Sequence, residues 1–310
     1  MFNQQNIQQF SKLELLAKQV VEGFVTGLHK SPFHGFSVEF AEHRLYNQGE
    51  TTKYIDWKLF AKTDKLFVKR YEEETNLRCQ ILLDISSSML FPLEKNKTIL
   101  RNKLSFSVHA IAALMELLKQ QRDAIGLTLF DSSITKHFKA NSSVAQKKLM
   151  YHELETLNDK SFFEQASSTQ VSEALHQIAE IIHQRSLIII FSDMFEHQAD
   201  METMFAALQH LKYKKHDVIL FHVTDKKQEL DFEFENRPYH FIDIETQDEI
   251  KLNPIQVKEM YLKKISHYTN ELKQKCGQYK IDFVEADINK GFDEVLLAYL
   301  LKRRTMLKGR

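Results

Sequence analysis

The sequence is poor in the residues that make a chain flexible or cross-linked. Its 310 residues include 8 glycines and 4 prolines, so we expect no long flexible linker. The two cysteines, Cys79 and Cys276, are far apart and lie in apolar segments, which favours buried free thiols. No apolar run approaches the roughly 20 residues that span a bilayer, and the first residues do not resemble a signal peptide. We therefore expect a soluble, cytoplasmic protein.

Charge of one sign is not in excess. The 42 Lys and Arg residues balance 42 Asp and Glu residues, which gives no reason to expect a nucleic-acid or membrane-surface partner. The basic segment 302–310 is a local exception that fits a solvated helix end better than a nucleic-acid contact. The P-loop pattern GxxxxGK[ST], the GxSxG elbow and HExxH are also missing from the sequence. The chain is therefore not itself expected to be a P-loop ATPase, an α/β-hydrolase or a zinc protease.

Apolar segments alternate with amphipathic ones from Cys79 onward. Near-continuous apolar runs separated by helical patterns are typical of a parallel sheet that is covered on both faces. The sequence predicts an α/β fold with a doubly wound, mostly parallel sheet. A helix over 11–28 and a small β-rich segment precede it, and we expect domains at 1–75 and 76–310. The predicted core strands are 79–83, 124–130, 187–191, 218–223 and 281–284, with an edge hairpin partner at 134–138.

Two of the predicted core strands end on an acidic residue. Asp84 follows one apolar run and Asp193 follows another, separated from it by Ser192. Asp84 also begins a DxSxS pattern, in which alternate residues of a tight loop can direct one carboxylate and the hydroxyls of Ser86 and Ser88 to the same place. Ligands of open α/β sheets bind outside the carboxyl ends of the strands. These residues are therefore candidates for one binding site.

Oxygen-only ligands of this kind suit a hard divalent cation, Mg²⁺ or Mn²⁺. Thr169 stands just before a helical segment and could add another hydroxyl. The competing interpretation is a strand-to-helix turn in which Ser86, Ser88 and Thr169 cap backbone amides. We favour the metal interpretation because Asp193 supplies a second carboxylate.

These residues, in this order, resemble the metal-ion-dependent adhesion site of von Willebrand factor type A (vWA) domains, a Rossmann-like fold. The resemblance implies that Asp84, Ser86, Ser88, Thr169 and Asp193 form the site. The segment before it contains Gly35, Glu39-Phe40, Arg44, Tyr46, Gly49-Glu50 and Ile55-Asp56-Trp57. These residues resemble the hallmark stretch of the bacterial family named domain of unknown function 58, although Glu50 stands where that family usually has aspartate.

The resemblance implies a non-catalytic, metal-dependent adaptor that works with a MoxR-type AAA+ ATPase. In that function the open position of the cation would accept an acidic side chain of the partner. The alternative is a Mg²⁺-dependent phosphoryl-transfer enzyme with Asp84 as nucleophile. Phosphatases of the haloacid-dehalogenase type have a second acid two residues after the nucleophile, and this chain has Ser86 there.

Apolar residues flank both acidic strand ends. We expect Met89, Leu90, Met194 and Phe195 to be exposed and to form a partner-binding surface around the metal. In the hallmark stretch, Arg44, Tyr46, Asp56 and Trp57 fit a structural buttress better than a ligand site.

Overall fold

The computed structural model describes residues 12–29, 43–45, 57–69, 77–93, 102–157, 171–195, 201–243 and 248–308. These residues form two compact units. One unit consists of the described residues between Gly23 and Asn76, and the other of those up to Glu22 together with those from Leu77 onward. The domain boundaries given above, 1–75 and 76–310, stay a prediction.

The larger unit alternates strands and helices, as the apolar pattern predicts. Its helices are α1 (Lys12–His29, which continues into the smaller unit), α3 (Lys103–Gln120), α4 (Val144–Thr156), α5 (Val171–Ile181), α6 (Met201–Tyr213), α7 (Pro254–Gln278) and α8 (Asp293–Lys308). Its strands are β3 (Arg78–Asp84), β4 (Ala124–Phe130), β5 (Ile134–Asn141), β6 (Leu187–Ser192), β7 (Asp217–Thr224), β8 (Tyr239–Ile242), β9 (Glu249–Leu252) and β10 (Asp282–Asp287). A 3₁₀ helix covers Ser87–Leu90 and a π-helical turn covers Lys226–Leu230.

Six of these strands form one sheet in the order β10-β7-β6-β3-β4-β5. All neighbouring pairs are parallel except β4 and β5, which are antiparallel. The prediction of a mixed α/β fold with a mostly parallel sheet and one antiparallel edge is therefore confirmed. β4 and β5 lie on one side of β3, and the next strand in the chain, β6, lies on the other side of β3. The strand order thus switches between β3 and β6, where open α/β sheets bind their ligands.

Helices cover both faces of this sheet. On one face, Leu82, Ile190 and Leu220 of the strands belong to a buried cluster that also contains residues of α5, α6 and α7. Alternate strand residues such as Ile81 and Ile189 point to the other face and are buried too, where α3 contacts the sheet. Burial on both faces explains why the central strands read as unbroken apolar runs.

Local sequence signals set the ends of two long helices. The side chain of Asn102 accepts a hydrogen bond from Ser105 N at 2.7 Å and so caps α3. Asn253 does the same for α7 by accepting from Ile255 N at 3.2 Å, and Pro254 occupies the first turn.

The smaller unit contains an antiparallel pair of short strands, β1 (His43–Leu45) and β2 (Phe67–Lys69), with helix α2 (Trp57–Thr63) between them in sequence. The larger unit also has a hairpin that the sequence analysis did not predict, formed by β8 and β9. Rings of five aromatic residues pack around it: Phe232, Phe234, Tyr239, Phe241 and Tyr261. Among the described residues no helix is both long and apolar enough to cross a membrane.

Candidate metal-binding site

Asp84 lies fully buried at the carboxyl end of β3, the central strand at the switch in strand order. Its Oδ1 accepts a hydrogen bond from Ser86 N at 2.9 Å, and its Oδ2 accepts one from Ser192 Oγ at 2.5 Å. Ile85 N donates to Phe130 O at 2.8 Å, which ties the same strand end to β4. Asp84 is therefore held in a fixed orientation by both neighbouring strands.

The two serines of the DxSxS pattern lie beside each other. Ser86 Oγ and Ser88 Oγ are 3.1 Å apart, and the Ser88 hydroxyl also hydrogen-bonds to Asp193. Ser86 is buried, whereas Ser88 is partly exposed. Ser88 therefore lies on the side from which a ligand could reach the buried carboxylates.

Asp193 completes the cluster from the end of β6 and is also fully buried. Its Oδ1 accepts a hydrogen bond from Phe195 N at 3.1 Å. The preceding residue, Ser192, accepts a hydrogen bond from Met194 N at 2.8 Å while it donates to Asp84. The ordered contacts thus bring Asp84, Ser86, Ser88 and Asp193 together, as the sequence predicts.

These oxygen atoms fit a Mg²⁺ or Mn²⁺ ion in chemistry and in spacing. Two oxygens that bind one Mg²⁺ at right angles lie about 3 Å apart, close to the Ser86–Ser88 separation. A carboxylate oxygen can accept more than one hydrogen bond, so the oxygens of Asp84 and Asp193 that already accept one can still bind an ion. No group of three or more His, Cys, Asp or Glu side chains that could hold a metal occurs within the described ranges. The present set combines two carboxylates with hydroxyls, which suits a hard cation rather than Zn²⁺.

A buried lysine, which the sequence analysis missed, contacts the site. Lys103 Nζ donates to Asp193 Oδ2 at 2.7 Å and to Glu229 Oε1 at 2.6 Å. Glu229 in turn accepts a hydrogen bond from Asp225 N at 2.7 Å. The position of Lys103 in the first turn of α3 could have indicated its role from sequence. A cation there opposes the helix dipole and therefore needs a specific anionic partner. Glu229 gave no such signal, because it lies 126 positions from Lys103.

The charged groups of the cluster shift one another's pKa values. Burial and the adjacent Asp193 carboxylate raise the pKa of Asp84 to about 7. Burial acts in the same direction on Asp193, but the Lys103 ammonium outweighs it and lowers the pKa of Asp193 below its ordinary value. Burial disfavours the charged form of Lys103 as well, yet Asp193 and Glu229 raise its pKa, so that Lys103 is cationic. The cluster without metal therefore contains the Lys103 ammonium bonded to Asp193 and Glu229, and a third carboxyl group, that of Asp84, with no described cation beside it.

Three of the four predicted partner-binding residues are not exposed. Met89, Leu90 and Met194 are buried, so the expectation that they form an exposed apolar surface is wrong. Met89 and Leu90 belong to the 3₁₀ helix that folds back after β3, and Met194 is held in a left-handed conformation (φ 51°) with its carbonyl bonded to Tyr268 Oη. Phe195 is exposed to 39% and its ring packs beside Tyr268.

Other predicted residues fall outside what the structure describes. Thr169, Tyr46 and Asp56 lie outside the described residues, and so do the side chains of Arg44 and Trp57. Their predicted roles stay predictions. Asp225, which follows β7, caps the π-helical turn by accepting hydrogen bonds from Lys227 N at 3.1 Å and Gln228 N at 3.2 Å.

The sequence matches the family described as protein of unknown function DUF58 over residues 42–267. The chain belongs to this family. Among curated relatives, the uncharacterized proteins Rv1480 of Mycobacterium tuberculosis and Mb1516 of Mycobacterium bovis are each 25% identical to this DUF58 chain over 145 residues. The match covers 47% of this chain and 44% of each relative, so the chain spans less than half the length of the curated relatives it matches.

Solved structures were also similar to this DUF58 chain. The conserved hypothetical protein BatB from Bacteroides thetaiotaomicron matches 75% of this chain and 99% of its own, with 16% identity and a TM-score of 0.47. An uncharacterized membrane spanning protein from Vibrio fischeri matches 74% of this chain and 98% of its own, with 14% identity and a TM-score of 0.25.

Proposed function

We propose that this DUF58 protein is a non-catalytic adaptor that binds a protein partner through a Mg²⁺ or Mn²⁺ ion. In this proposal the larger unit is a vWA domain and its metal-ion-dependent adhesion site consists of Asp84, Ser86, Ser88, Asp193 and Thr169. The observation that supports it best is the convergence of Asp84 and Asp193 at the switch between β3 and β6, with the hydroxyls of Ser86 and Ser88 beside them. A bound ion would supply a positive centre for an acidic side chain of the partner.

The protein's own residues would orient the ion and its surroundings. Asp84 and Asp193 supply charge, while Ser86 and Ser88 supply neutral oxygens. Ser192 fixes the Asp84 carboxylate, because its hydroxyl bridges the two strand ends. Phe195 lies at the exposed side of the site and could exclude water around a docked carboxylate, which strengthens electrostatic attraction. We further propose that the partner is a MoxR-type AAA+ ATPase.

The alternative function is Mg²⁺-dependent phosphoryl transfer with Asp84 as nucleophile. Ser86 stands where phosphatases of the haloacid-dehalogenase type have an acid, so the general acid that such an enzyme needs at this position is replaced by a hydroxyl. Lys103 is bonded to Asp193 and Glu229 and makes no described contact with Asp84. These contacts support the adaptor over the enzyme.

Isothermal titration with Mg²⁺ and with Mn²⁺ tests the proposal. The wild-type protein should bind one ion, and Asp84→Ala should abolish that binding. Asp131→Ala is a matched control, because Asp131 also follows a strand of the sheet, β4, but its side chain accepts a hydrogen bond from Ser133 N at 3.0 Å and has no described contact with the cluster. Equal binding by the wild type and Asp84→Ala would show that the ion does not bind here.

A further inference from the structure

Lys103 places a buried ammonium directly against the candidate metal site. Its side chain is 1% exposed, and its Nζ donates to Asp193 Oδ2 at 2.7 Å and to Glu229 Oε1 at 2.6 Å. The rings of Phe91 and Phe195 lie 5.8 and 5.9 Å from the same nitrogen. Carboxylates and aromatic faces, rather than water, therefore surround the charge.

Neither helix formation nor core packing explains a lysine at this position. Lys103 is the first residue of α3, where a positive charge opposes the helix dipole, and burial of an ammonium is costly without anionic partners. Asp193 supplies one partner from just after β6, and Glu229 supplies the other from the π-helical turn after β7. The position therefore has an electrostatic role in the site.

The net charge around Lys103 can be balanced by one divalent cation. When Asp84, Asp193 and Glu229 are all ionised, the single Lys103 ammonium leaves two negative charges uncompensated. A divalent ion between Asp84 and Asp193 would balance them. It would also share Asp193 with the ammonium, and two cations on one buried carboxylate repel each other strongly because little water screens them.

We propose that Lys103 is an internal counter-cation that competes with the divalent ion for Asp193 and thereby keeps metal binding weak and reversible. This inference rests on the proposed metal-dependent function, but it makes a prediction of its own. If Lys103 competes, loss of its charge tightens metal binding. If Lys103 instead served to position Asp193 as a ligand, loss of its side chain would weaken metal binding. The sign of the effect therefore separates the two roles.

The test compares the affinity of Mg²⁺ and Mn²⁺ for the wild type, Lys103→Met and Lys119→Met by isothermal titration. Methionine keeps the unbranched shape of lysine without its charge. Lys119 is a matched control on the same helix, because its Nζ also bridges two carboxylates, those of Glu14 and Glu116, at 3.1 Å each. Thermal unfolding with and without Mg²⁺ gives a second measurement that does not depend on a partner or on activity.

We expect Lys103→Met to lower the dissociation constant by about tenfold or more, since a tenfold change requires only about 1.4 kcal/mol of relieved repulsion. We also expect Mg²⁺ to raise the melting temperature of Lys103→Met more than that of the wild type, and Lys119→Met to bind as the wild type does. Equal or weaker binding by Lys103→Met would overturn the inference while the metal site stands. Absence of binding in the wild type and in Lys103→Met would overturn the metal site itself and, with it, the counter-cation.

A second variant keeps the test decisive if Lys103→Met does not fold. Lys103→Gln removes the charge and retains a donor for Asp193 or Glu229. The expected result is the same gain in affinity, and equal or weaker binding by Lys103→Gln would again overturn the inference.

Discussion

Ser192 Oγ donates a 2.5 Å hydrogen bond to Asp84 Oδ2 across 108 positions of the chain. This bond joins the ends of β6 and β3, the two strands between which the strand order switches. Ser192 also accepts from Met194 N, so one hydroxyl fixes both the Asp84 carboxylate and the backbone that follows Asp193. The carboxylates of the candidate site are therefore oriented before any ion binds, which reduces the cost of ordering ligands on binding.

The proposed adaptor should have no hydrolytic activity of its own. Asp84 lacks an acid two residues later, because Ser86 stands there. Purified protein with Mg²⁺ and either ATP or a generic phosphoester should release phosphate at the rate of an Asp84→Ala control. Turnover that Asp84→Ala abolishes would favour the phosphoryl-transfer alternative.

Partner binding should depend on the metal and on the exposed ring beside it. In a pull-down with a MoxR-type ATPase from the same cell, EDTA and Asp193→Ala should each remove most of the retained ATPase. Phe195→Ala should weaken retention as well, since Phe195 is the member of the predicted apolar surface that is exposed. Asp131→Ala, whose aspartate follows β4 and bonds to Ser133 N, is the control, and circular dichroism should show that each variant is folded. Retention that survives both EDTA and Asp193→Ala would mean that the metal does not carry the interaction.

The central sheet could be predicted from sequence, because its strands are buried on both faces and their apolar residues are nearly continuous. The run Leu187–Phe191 became β6, and the acid after it lies where the topology brings ligands together. The convergence of Asp84, Ser86 and Ser88 could also be predicted, because side chains in a tight loop directly after a central strand can point in only a few directions.

The remainder of the site depends on contacts between distant segments. No local pattern connects Lys103 to Glu229 or Ser192 to Asp84, and each pair meets only after the sheet has formed. Burial of Met194 was also not predictable, because a loop residue after a strand is usually exposed. The structure buries it through a left-handed backbone and the bond from Tyr268 Oη to its carbonyl.

His222 should make stability depend on pH. It lies buried on β7, its ring 5.5 Å from that of Phe283, and burial lowers its pKa to about 4. The unfolded chain takes up a proton near pH 6.5, whereas the folded protein does not until about pH 4. The free energy of unfolding should therefore fall as the pH drops through this window, by at most about 3 kcal/mol from this residue.

Urea denaturation at pH 7 and at pH 4.5 measures the effect. His222→Leu should lose less stability between the two pH values than the wild type does. His267→Leu, at a position whose side chain is 81% exposed, controls for removal of a histidine. An equal loss in the wild type and His222→Leu would contradict the assignment of this pH dependence to His222.

Gly126 should not tolerate a side chain. A β-carbon there would lie 2.1 Å from Gln80 Oε1 and 2.6 Å from the backbone oxygen of Phe138, where β4 approaches β5 closely. Gly126→Ala should lower the free energy of unfolding by about 1–3 kcal/mol. Gly277 lies on helix α7, and apart from the backbone of that helix a β-carbon there would meet no atom within 4 Å, so Gly277→Ala should raise the free energy of unfolding by up to about 1 kcal/mol. Equal stabilities of the two variants in urea would contradict the close approach at Gly126.

The most direct test of the metal site is the anomalous scattering of Mn²⁺ in crystals of the wild-type protein grown with that ion. We expect one strong anomalous peak between Asp84 and Asp193, within coordinating distance of the Ser86 and Ser88 hydroxyls. Crystals of Asp84→Ala grown in the same way should lack the peak. A wild-type structure at saturating Mn²⁺ with no peak between Asp84 and Asp193 would contradict the proposed metal site.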